Sequence, residues 1–326
     1  MYKYHSKALY FLTRGTIYDS GARLQKELIS SVHKIIAKHK VANIIGSGAP
    51  FSFLYHITKI KNQTKSINFI ADLRDPWTWG GGYGMKTLSP KRLKFEQAQE
   101  QLVLENANYI TSASQDLKKV LDHKLAPQNK ESILLINGVE SNRLAQDDDL
   151  VANEQPSSSK QLIITHIGTA SNDSEKYWKP LFEHIESSAL NYKLNFYGNS
   201  NLLITDWVST HQPKKIHLMQ RVNEVNIQSI LKKSNYLLFF KNDLFPDSFP
   251  SKFFDYIKSS RPLLLYTKKG TVSNEVITNQ IGLVFDQNYN YANFNKDLTC
   301  FQFNSNYDWS KFSIEKLVKT IENLLV

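Results

Sequence analysis

The stretch YLLFFKNDLFPDSFPSKFFDYIKSSRPLLLY, residues 236–266, decides the fold. It opens with the apolar run Tyr236–Phe240 and closes with a second one, Pro262–Tyr266, and both have the length of a buried strand. The apolar residues between them follow helical spacing at Phe253, Phe254 and Ile257. A strand, a helix and a second strand in this order predict a parallel β-α-β unit whose strands are covered by helices on both faces.

The same alternation fills the rest of the second half. Further predicted strands are Leu162–Ile167, Leu194–Tyr197, Ile216–Met219 and Ile281–Phe285. Predicted helices are Trp178–Ile185, a segment that carries Ile227, Ile230 and Leu231, and the terminal segment Ser310–Leu325. The pattern indicates a doubly wound, Rossmann-like sheet whose ligand lies beyond the carboxyl ends of the strands.

The first half repeats this alternation less completely. Its candidate strands are Val41–Ile45, Ile67–Ala71, Asn108–Thr111 and Ile133–Ile136. One helix is expected to begin at Ser89-Pro90, a serine cap followed by proline. Another carries Leu117, Val120, Leu121 and Leu125. The chain is therefore predicted to be α/β with two Rossmann-like domains.

The segment AQDDDLVANEQPSSSK, residues 145–160, is polar and has no apolar period, as in a linker. It separates a first domain, 1–144, from a second, 161–326. The last helix is expected to pack back on the first domain.

Charge and cysteine content limit the function classes. The net charge is +10, and the whole excess lies in the first 145 residues. Such a half suits an anionic membrane, a phosphorylated acceptor or a solvated lysine-rich surface. It has no nucleic-acid recognition motif, so no nucleic acid is expected as a partner. Cys300 is the only cysteine, which excludes a disulfide framework and fits a reducing cytoplasm. No signal peptide or membrane-length apolar run is present, so we expect a soluble or peripheral membrane protein.

The strongest candidate site lies between the first two strands described above. Asp247 belongs to the loop, whereas Lys252 and Asp255 are three residues apart and share a helix face. A lysine and a helix amino terminus suit the phosphates of a nucleotide sugar, and carboxylates suit its hydroxyl groups. The same charge spacing also occurs in a capped, salt-bridged amphipathic helix. From the spacing alone, we favour the amphipathic helix.

This segment resembles the signature of glycosyltransferase family 4, a retaining family of the GT-B fold. In the family pattern, glutamate, any residue, phenylalanine and glycine are followed after four residues by a second glutamate. Here Asp247, Phe249, Pro250 and Asp255 stand at these places, with Asp for Glu twice and Pro for Gly. Other segments that resemble the family are Ser251–Pro262, Ile164–Thr169, Leu194–Gly198 and Ile136–Glu140. Ser47–Pro50 and Ala71–Trp77 resemble bacterial members that act in polysaccharide or lipopolysaccharide assembly.

The resemblance implies two domains around a deep cleft and a role for each matching residue. Asp247 matches the acid that contacts the donor sugar near the reacting centre, and Asp255 matches the acid that holds the ribose. Gly168 and Thr169 begin the loop beside the diphosphate, with Thr169 in the place of the usual arginine. The donor-binding residues implied are Gly168, Thr169, Lys176, Arg221, Ser251, Lys252 and Asp255. No metal or other cofactor is expected.

The first half has its own candidate site in ADLRDPWTWGGGYG, residues 71–84. Asp72, Arg74 and Asp75 follow a predicted strand and are assigned to catalysis, next to a glycine run that could close over an acceptor. The alternative is a buried Arg–Asp pair with Trp77 in the core. The acceptor-side residues assigned are Ser47, Gly48, Trp77 and Gly81. His166 is interpreted as a packed or hydrogen-bonded side chain, and Glu96 and Glu100 as surface residues.

The first domain is expected to be incomplete, because its SGAP segment already lies at Ser47. A natural short form, a truncated product and a partner subunit that completes the domain are the three explanations. The sequence thus predicts sugar transfer from a nucleotide-sugar donor to a lipid-linked or oligosaccharide acceptor in cell-surface polysaccharide synthesis. The alternative is a non-catalytic nucleotide-sugar-binding or scaffold relative that needs a partner subunit.

Overall fold

The computed structural model describes residues 24–79, 88–140, 161–198 and 201–325. These residues form two compact units. The first contains the described residues up to Ile136 together with 318–325, and the second spans Asn137–Leu317. The predicted linker, 145–160, lies outside the described residues.

The first unit is a parallel sheet with strands in the order β1-β2-β3-β4. Its strands are β1 (Asn43–Gly48), β2 (Asn68–Leu73), β3 (Tyr109–Ser112) and β4 (Ile133–Leu134). Its helices are α1 (Gln25–His39), α2 (Phe51–Gln63), α3 (Pro90–Asn106) and α4 (Gln115–Leu125). Side chains from α2, α3 and α4 share one apolar core with the Phe69, Ala71 and Leu73 side of β2. The four strands predicted for this half are confirmed, each with a shift of one to three residues at one or both ends.

Individual residues explain where α3 begins and how closely α2 packs on β1. Ser89 caps α3, because its hydroxyl oxygen accepts a hydrogen bond from the main-chain nitrogen of Arg92 at 3.3 Å, and Pro90 takes the first helical position as predicted. Gly46 lets α2 lie against β1, since a β-carbon at this position would come within 2.5 Å of the Ile57 side chain. Strand β2 extends two residues beyond the predicted Ala71, so Asp72 lies within the strand rather than after it.

The second unit is a larger parallel sheet with the order β10-β9-β8-β5-β6-β7. Its strands are β5 (Leu162–Ile167), β6 (Tyr192–Tyr197), β7 (Ile216–Met219), β8 (Tyr236–Phe240), β9 (Leu263–Tyr266) and β10 (Gly282–Phe285). Its longer helices are α5 (Glu175–Ser187), α6 (Leu202–His211), α7 (Glu224–Lys232), α8 (Ser251–Ile257), α9 (Thr271–Thr278), α10 (Phe294–Cys300) and α11 (Ile314–Glu322), the last of which ends in the first unit.

The strand order places the reversal of the chain between β5 and β8. From β5 the chain runs outward to β6 and β7, and it then returns to add β8 on the other side of β5. In open parallel sheets, ligands bind at the carboxyl ends of the two strands that flank such a reversal. Every residue of β8 and β9 is buried, which explains why both strands appear in the sequence as unbroken apolar runs. The doubly wound sheet predicted for this half is confirmed.

Hydropathy along the described helices gives no membrane-spanning candidate. In the part of the chain that the structure describes, no helix is both long enough and apolar enough to cross a bilayer.

Candidate functional site

Strands β5 and β8 part near their carboxyl ends, and a tyrosine fills the gap. Their backbone pairing covers Ile164 and Thr165 of β5. Beyond it, the Tyr256 hydroxyl of α8 accepts a hydrogen bond from the Ile167 nitrogen at 2.8 Å and donates one to the Leu238 oxygen at 3.3 Å. Tyr256 therefore satisfies backbone groups that the separating strands leave, and it anchors α8 beside the carboxyl end of β5.

Two glycines follow β5 and β6 at this edge. Gly168 and Gly198 have φ values of +93° and +118°, a region that side chains with a β-carbon rarely adopt. A β-carbon on Gly198 would come within 3.2 Å of three backbone atoms of Gly168. The Gly168 nitrogen donates to the Tyr197 oxygen at 2.7 Å. The two chain segments can approach this closely because Gly198 carries no side chain.

The amine of Lys252 lies over Gly168. Its Nζ is 3.0 Å from the point that a β-carbon of Gly168 would occupy, and it donates a hydrogen bond to the Thr169 oxygen at 3.3 Å. Burial lowers the pKa of Lys252 to about 8, although the carboxylate of Asp255 on the same helix acts in the opposite direction. At neutral pH the amine is thus mostly protonated, and it places a positive charge beside Gly168.

His166, a buried residue of β5, lies next to this site, and its imidazole ring is neutral. Its side chain is 0% exposed, and its ring centroid lies 4.9 Å from that of Phe196 and 5.6 Å from that of Phe240. Burial lowers the pKa of His166 to about 3, and the charge of Lys252 lowers it further, against the opposing effect of the backbone of Leu238 and Gly168. The neutral ring donates from Nδ1 to the Leu238 oxygen at 2.9 Å, a tautomer that we assign from this contact. This agrees with the sequence interpretation of a packed, hydrogen-bonded histidine.

The two acids of the signature have different surroundings. Asp255 is exposed on α8, one turn from Lys252, and its backbone oxygen accepts from Gln228 Nε2 at 3.1 Å. Asp247 is partly buried, and its Oδ1 accepts from both the nitrogen and the hydroxyl of Thr271 at 3.0 Å. Asp247 therefore stabilises the amino end of α9 through one carboxylate oxygen. Its assigned contact with the donor sugar stays a prediction.

Lys176 is bound to an acid that the sequence analysis did not single out. Its ammonium forms an ion pair with Asp243, which also accepts from the Tyr177 hydroxyl at 2.8 Å and from the Lys268 nitrogen at 3.0 Å. Burial raises the pKa of Asp243, but the hydrogen bonds from Lys176, Tyr177 and Lys268 outweigh it and lower the pKa overall. In this arrangement the charge of Lys176 is used to fasten the loop after β8.

A buried lysine in the same loop was also missed. Lys241 directly follows β8 and is 4% exposed, and its ammonium donates to the backbone oxygens of Phe245 and Asn242. The sequence does contain an indication of this burial, because Lys241 directly follows a fully apolar strand, where an exposed lysine is not expected. The remaining predicted donor residues, Arg221 and Ser251, are exposed after β7 and at the first position of α8.

In the first unit, Asp72 is the centre of a hydrogen-bond network. It is 8% exposed, and it accepts from Ser47 Oγ at 2.9 Å, Thr111 Oγ1 at 2.7 Å and an Arg74 nitrogen at 3.3 Å. Arg74 also donates to the Leu135 oxygen at 2.7 Å. These contacts join β1, β2 and β3 and correspond to the buried Arg–Asp alternative, while the catalytic assignment of Asp72 and Arg74 stays a prediction.

Among the neighbouring predicted residues, Asp75 and Trp77 differ sharply. The carboxylate of Asp75 is partly exposed, and the described residues give it neither a hydrogen bond nor an ion pair. Trp77 is 0% exposed, stacks on Phe51 with centroids 4.9 Å apart, and donates to Glu96 Oε2 at 2.9 Å. Its assignment to an acceptor surface is therefore wrong, because its side chain belongs to the core. Gly48 is buried against Phe51 as well, and Gly81 lies outside the described residues.

The prediction that Glu96 and Glu100 are surface residues is also wrong. Glu96 binds Arg92 and Trp77. Glu100 is 2% exposed, and its Oε2 accepts from Lys124 Nζ at 2.6 Å and from the Thr78 hydroxyl. The burial is possible because each carboxylate has a cation and a second donor. Together they hold residues 77 and 78 against α3.

Over the described ranges, no group of three or more His, Cys, Asp or Glu side chains is arranged to hold a metal ion.

Comparisons with known proteins define the fold. No protein-family model matches this sequence, and no curated protein matches it. Among solved structures, the chain is similar to the lipopolysaccharide outer core galactosyltransferase WaaB in its apo form, with a TM-score of 0.62 and 10% identity over 94% of this chain and 81% of that one. It is similar to Anabaena Alr3699/HepE in complex with UDP and glucose, with a TM-score of 0.63 and 12% identity over 93% and 81%. An α,α-trehalose-phosphate synthase (UDP-forming) from Burkholderia vietnamiensis gives 0.58 and 8% over 92% and 75%. The two parallel α/β units of this protein therefore have the GT-B fold of these glycosyltransferases.

Proposed function

We propose that the protein is a glycosyltransferase whose donor is a sugar linked to a nucleoside diphosphate. The observation that carries this proposal is the position of Lys252 Nζ over Gly168, which Gly198 contacts, beside the chain reversal between β5 and β8. Glycines at such an edge let phosphate oxygens approach the backbone, and a neighbouring ammonium balances their charge. UDP is bound in structures of the similar Anabaena Alr3699/HepE, which makes it the first nucleotide to test.

In this proposal, the residues of the second unit bind different parts of the donor. Lys252 stabilises the negative charge that develops on the departing nucleoside diphosphate. Asp255, exposed one turn further along α8, accepts hydrogen bonds from the ribose hydroxyl groups. Thr169, Ser251 and Arg221 add polar contacts around the same edge. Lys176 acts indirectly, by holding Asp243 and hence the loop that carries Asp247.

The first unit is assigned to the acceptor. Asp75 is the best-placed group for a proton transfer or an acceptor hydroxyl, because no side chain of the described residues occupies its carboxylate. Asp72 and Arg74 would then position the turn that carries it. The finer assignments remain proposals that rest on the resemblance: a retaining reaction, membership of family 4, and a lipid-linked or oligosaccharide acceptor in polysaccharide or lipopolysaccharide assembly.

The test is calorimetric titration with UDP, GDP, ADP and CMP and with their sugar conjugates. We expect one nucleoside diphosphate class to bind, and Asp255→Ala to weaken it by about tenfold through the loss of one hydrogen bond to a charged group. Asp206→Ala, an exposed acid on α6, is the matched control and should bind as the wild type does. If no nucleotide binds to folded wild-type protein, the proposal is rejected.

A second candidate is a protein that binds the donor without transferring its sugar. It is favoured by the engagement of Asp247 Oδ1 with Thr271 at the start of α9. Release of nucleoside diphosphate from the bound sugar nucleotide, with or without saccharide acceptors, separates the two candidates. Binding without any turnover supports the second, and turnover supports the first.

We also propose that the first unit contacts an anionic membrane on its cytoplasmic side. The support is a set of exposed lysines at the end of α1 and just after it, Lys34, Lys38 and Lys40. Replacing all three with Gln should reduce sedimentation with phosphatidylserine vesicles, each charge contributing about 1 kcal/mol at low salt. Replacing Lys214, Lys268 and Lys269 of the second unit provides the control. Equal sedimentation of both triple variants would contradict this part.

A further inference from the structure

The lysines near the carboxyl edge of the second sheet differ in what holds their amines. Lys176 is paired with Asp243, and Lys241 is turned into the backbone of its own loop. Lys252 instead lies against Gly168, where the Thr169 oxygen at 3.3 Å is the one hydrogen-bond acceptor that the described residues offer its Nζ. Its amine is thus held in place by packing but is little engaged, next to a surface of bare backbone.

We propose that Lys252 is a modification site, where an acyl phosphate bound at the backbone of Gly168 and Gly198 transfers its acyl group to Nζ. The proposal rests on the proposed function in one respect, because it uses the same two glycines to hold a phosphate group. An acyl phosphate carries its reactive carbonyl carbon on the bridging oxygen of the phosphate. If the phosphate lies at these glycines, that carbon comes within reach of the amine that lies against Gly168.

The state of the amine supports this chemistry. An ordinary lysine has a pKa near 10.5, so at pH 8 only about one amine in 300 carries the free lone pair that can attack. Burial lowers the pKa of Lys252 to about 8, so about half of its amines are neutral at that pH. Asp255 on α8 opposes the shift, and His166 from β5 is neutral and adds no charge. The lysine that faces the phosphate seat is therefore also the reactive one.

The transfer balances without an oxidant or a metal. The lone pair of Nζ attacks the carbonyl carbon and forms the C–N bond. The bond between that carbon and the bridging phosphate oxygen then breaks, and its electron pair leaves with the phosphate. The amine proton passes to the departing phosphate or to water, so an amide and inorganic phosphate are the products.

The modification would switch the donor site off. An acetylated Lys252 has no charge and has a longer side chain, which fills the space above the glycines. Binding of a nucleoside diphosphate would lose its closest cation, so the acyl phosphate level would set the fraction of protein able to bind donor.

The test treats the whole protein with acetyl phosphate at pH 8 and follows each lysine by mass spectrometry. We expect Lys252 to be acetylated at least about tenfold faster than Lys268 and Lys269, which are exposed after β9. The matched reagent is N-acetoxysuccinimide, which transfers the same group but carries no phosphate. With it, the preference for Lys252 should shrink by about threefold or more, and saturating UDP should protect Lys252 from both reagents.

Two variants connect the modification to binding. Lys252→Gln imitates the acetylated state, and Lys252→Arg keeps the charge. We expect acetylated wild-type protein and Lys252→Gln to bind UDP equally weakly, and Lys252→Arg, which keeps the charge, to bind it more tightly than either. If untreated protein does not bind UDP, the proposed function fails. If it binds UDP but acetyl phosphate modifies Lys252 no faster than Lys268, or shows no more preference for it than N-acetoxysuccinimide does, this inference fails alone.

Discussion

In the first unit, the carboxyl edge of the sheet is organised around a buried acid, whereas in the second it is organised around a partly buried lysine. Asp72 accepts from three side chains that lie on or beside neighbouring strands, so its charge is used within the protein. Lys252 lies against Gly168, and its ammonium donates to one backbone oxygen. The two parallel sheets thus differ in how far the protein itself matches the charge at its strand ends, and the proposed function assigns the less matched charge to the ligand.

The largest effect on stability is expected at Glu100, a second buried acid of the first unit. Glu100→Ala removes the carboxylate that binds Lys124 and Thr78. We expect a loss of about 1.5–3 kcal/mol in the free energy of unfolding, because the half-buried ammonium of Lys124 and the Thr78 hydroxyl lose their acceptor. Urea unfolding measures this loss.

The control on the same helix is Glu105→Ala, an exposed acid bound to Gln101. It should change stability by no more than about 0.5 kcal/mol. Equal effects of both substitutions would contradict the burial of Glu100.

Asp72 and Asp75 are three residues apart, and we expect their substitutions to affect different properties. Asp72→Asn places an amide where hydroxyl and guanidinium groups donate, and it should cost about 1–3 kcal/mol in the free energy of unfolding. Asp75→Asn should leave stability within about 0.5 kcal/mol and lower the rate of sugar transfer. Chemical unfolding together with a transfer assay distinguishes them, and a stable Asp72→Asn variant would refute the network.

Gly198 tests whether the second edge needs bare backbone. Gly198→Ala forces a side chain into a φ of +118° and to within 3.2 Å of Gly168. We expect a loss of about 1–3 kcal/mol in stability and weaker UDP binding by the protein that remains folded. Undiminished affinity in a folded variant would show that the ligand does not approach this backbone.

The smallest expected effect is a dependence of UDP affinity on pH. The pKa of Lys252 is about 8 in the folded protein, so its positive charge disappears as the pH rises from 7 to 9, and UDP affinity should fall severalfold. Lys252→Arg should remove this dependence, because arginine stays charged. An unchanged slope in that variant would assign the titration to another group.

Lys252 and His166 both make stability rise with pH, but in different pH ranges. Lys252 binds its proton more weakly in the folded than in the unfolded chain, so its contribution to stability rises with pH between about 8 and 10.5. His166, whose pKa is about 3 in the fold, disfavours folding increasingly as the pH falls below 6.5. His166→Phe should therefore weaken the acid sensitivity of thermal unfolding.

The sequence alone predicted the strands of both sheets, and the fully buried ones show the reason most directly. Strands β8 and β9 are buried throughout, so their apolar runs gave their positions to within one residue. Helices α1 and α2 were not predicted. Helix α1 buries no residue, and α2 is recognisable by its packing on Gly46 and Gly48 rather than by a clear apolar period.

The same reasoning explains which site residues could be found. Lys252 and Asp255 lie one turn apart on a single helix, so their spacing in sequence already placed them together. Asp243 pairs with Lys176, which is 67 residues away in sequence. Glu96 and Glu100 likewise accept hydrogen bonds from Trp77 and Thr78, which precede α3 in the chain. Pairings over such separations depend on tertiary packing, which the spacing of charges does not encode.

The central claim is that Lys252 marks a donor phosphate site, and the most direct measurement is titration of UDP into three proteins at pH 7. Lys252→Met keeps most of the unbranched side chain and removes its charge, while Lys296→Met does the same at an exposed position on α10. The account predicts that Lys252→Met weakens UDP binding by about 10- to 100-fold, since a hydrogen bond to a charged group contributes about 1.5–3 kcal/mol, and that Lys296→Met leaves it unchanged. Equal affinity of the wild type and Lys252→Met would contradict it.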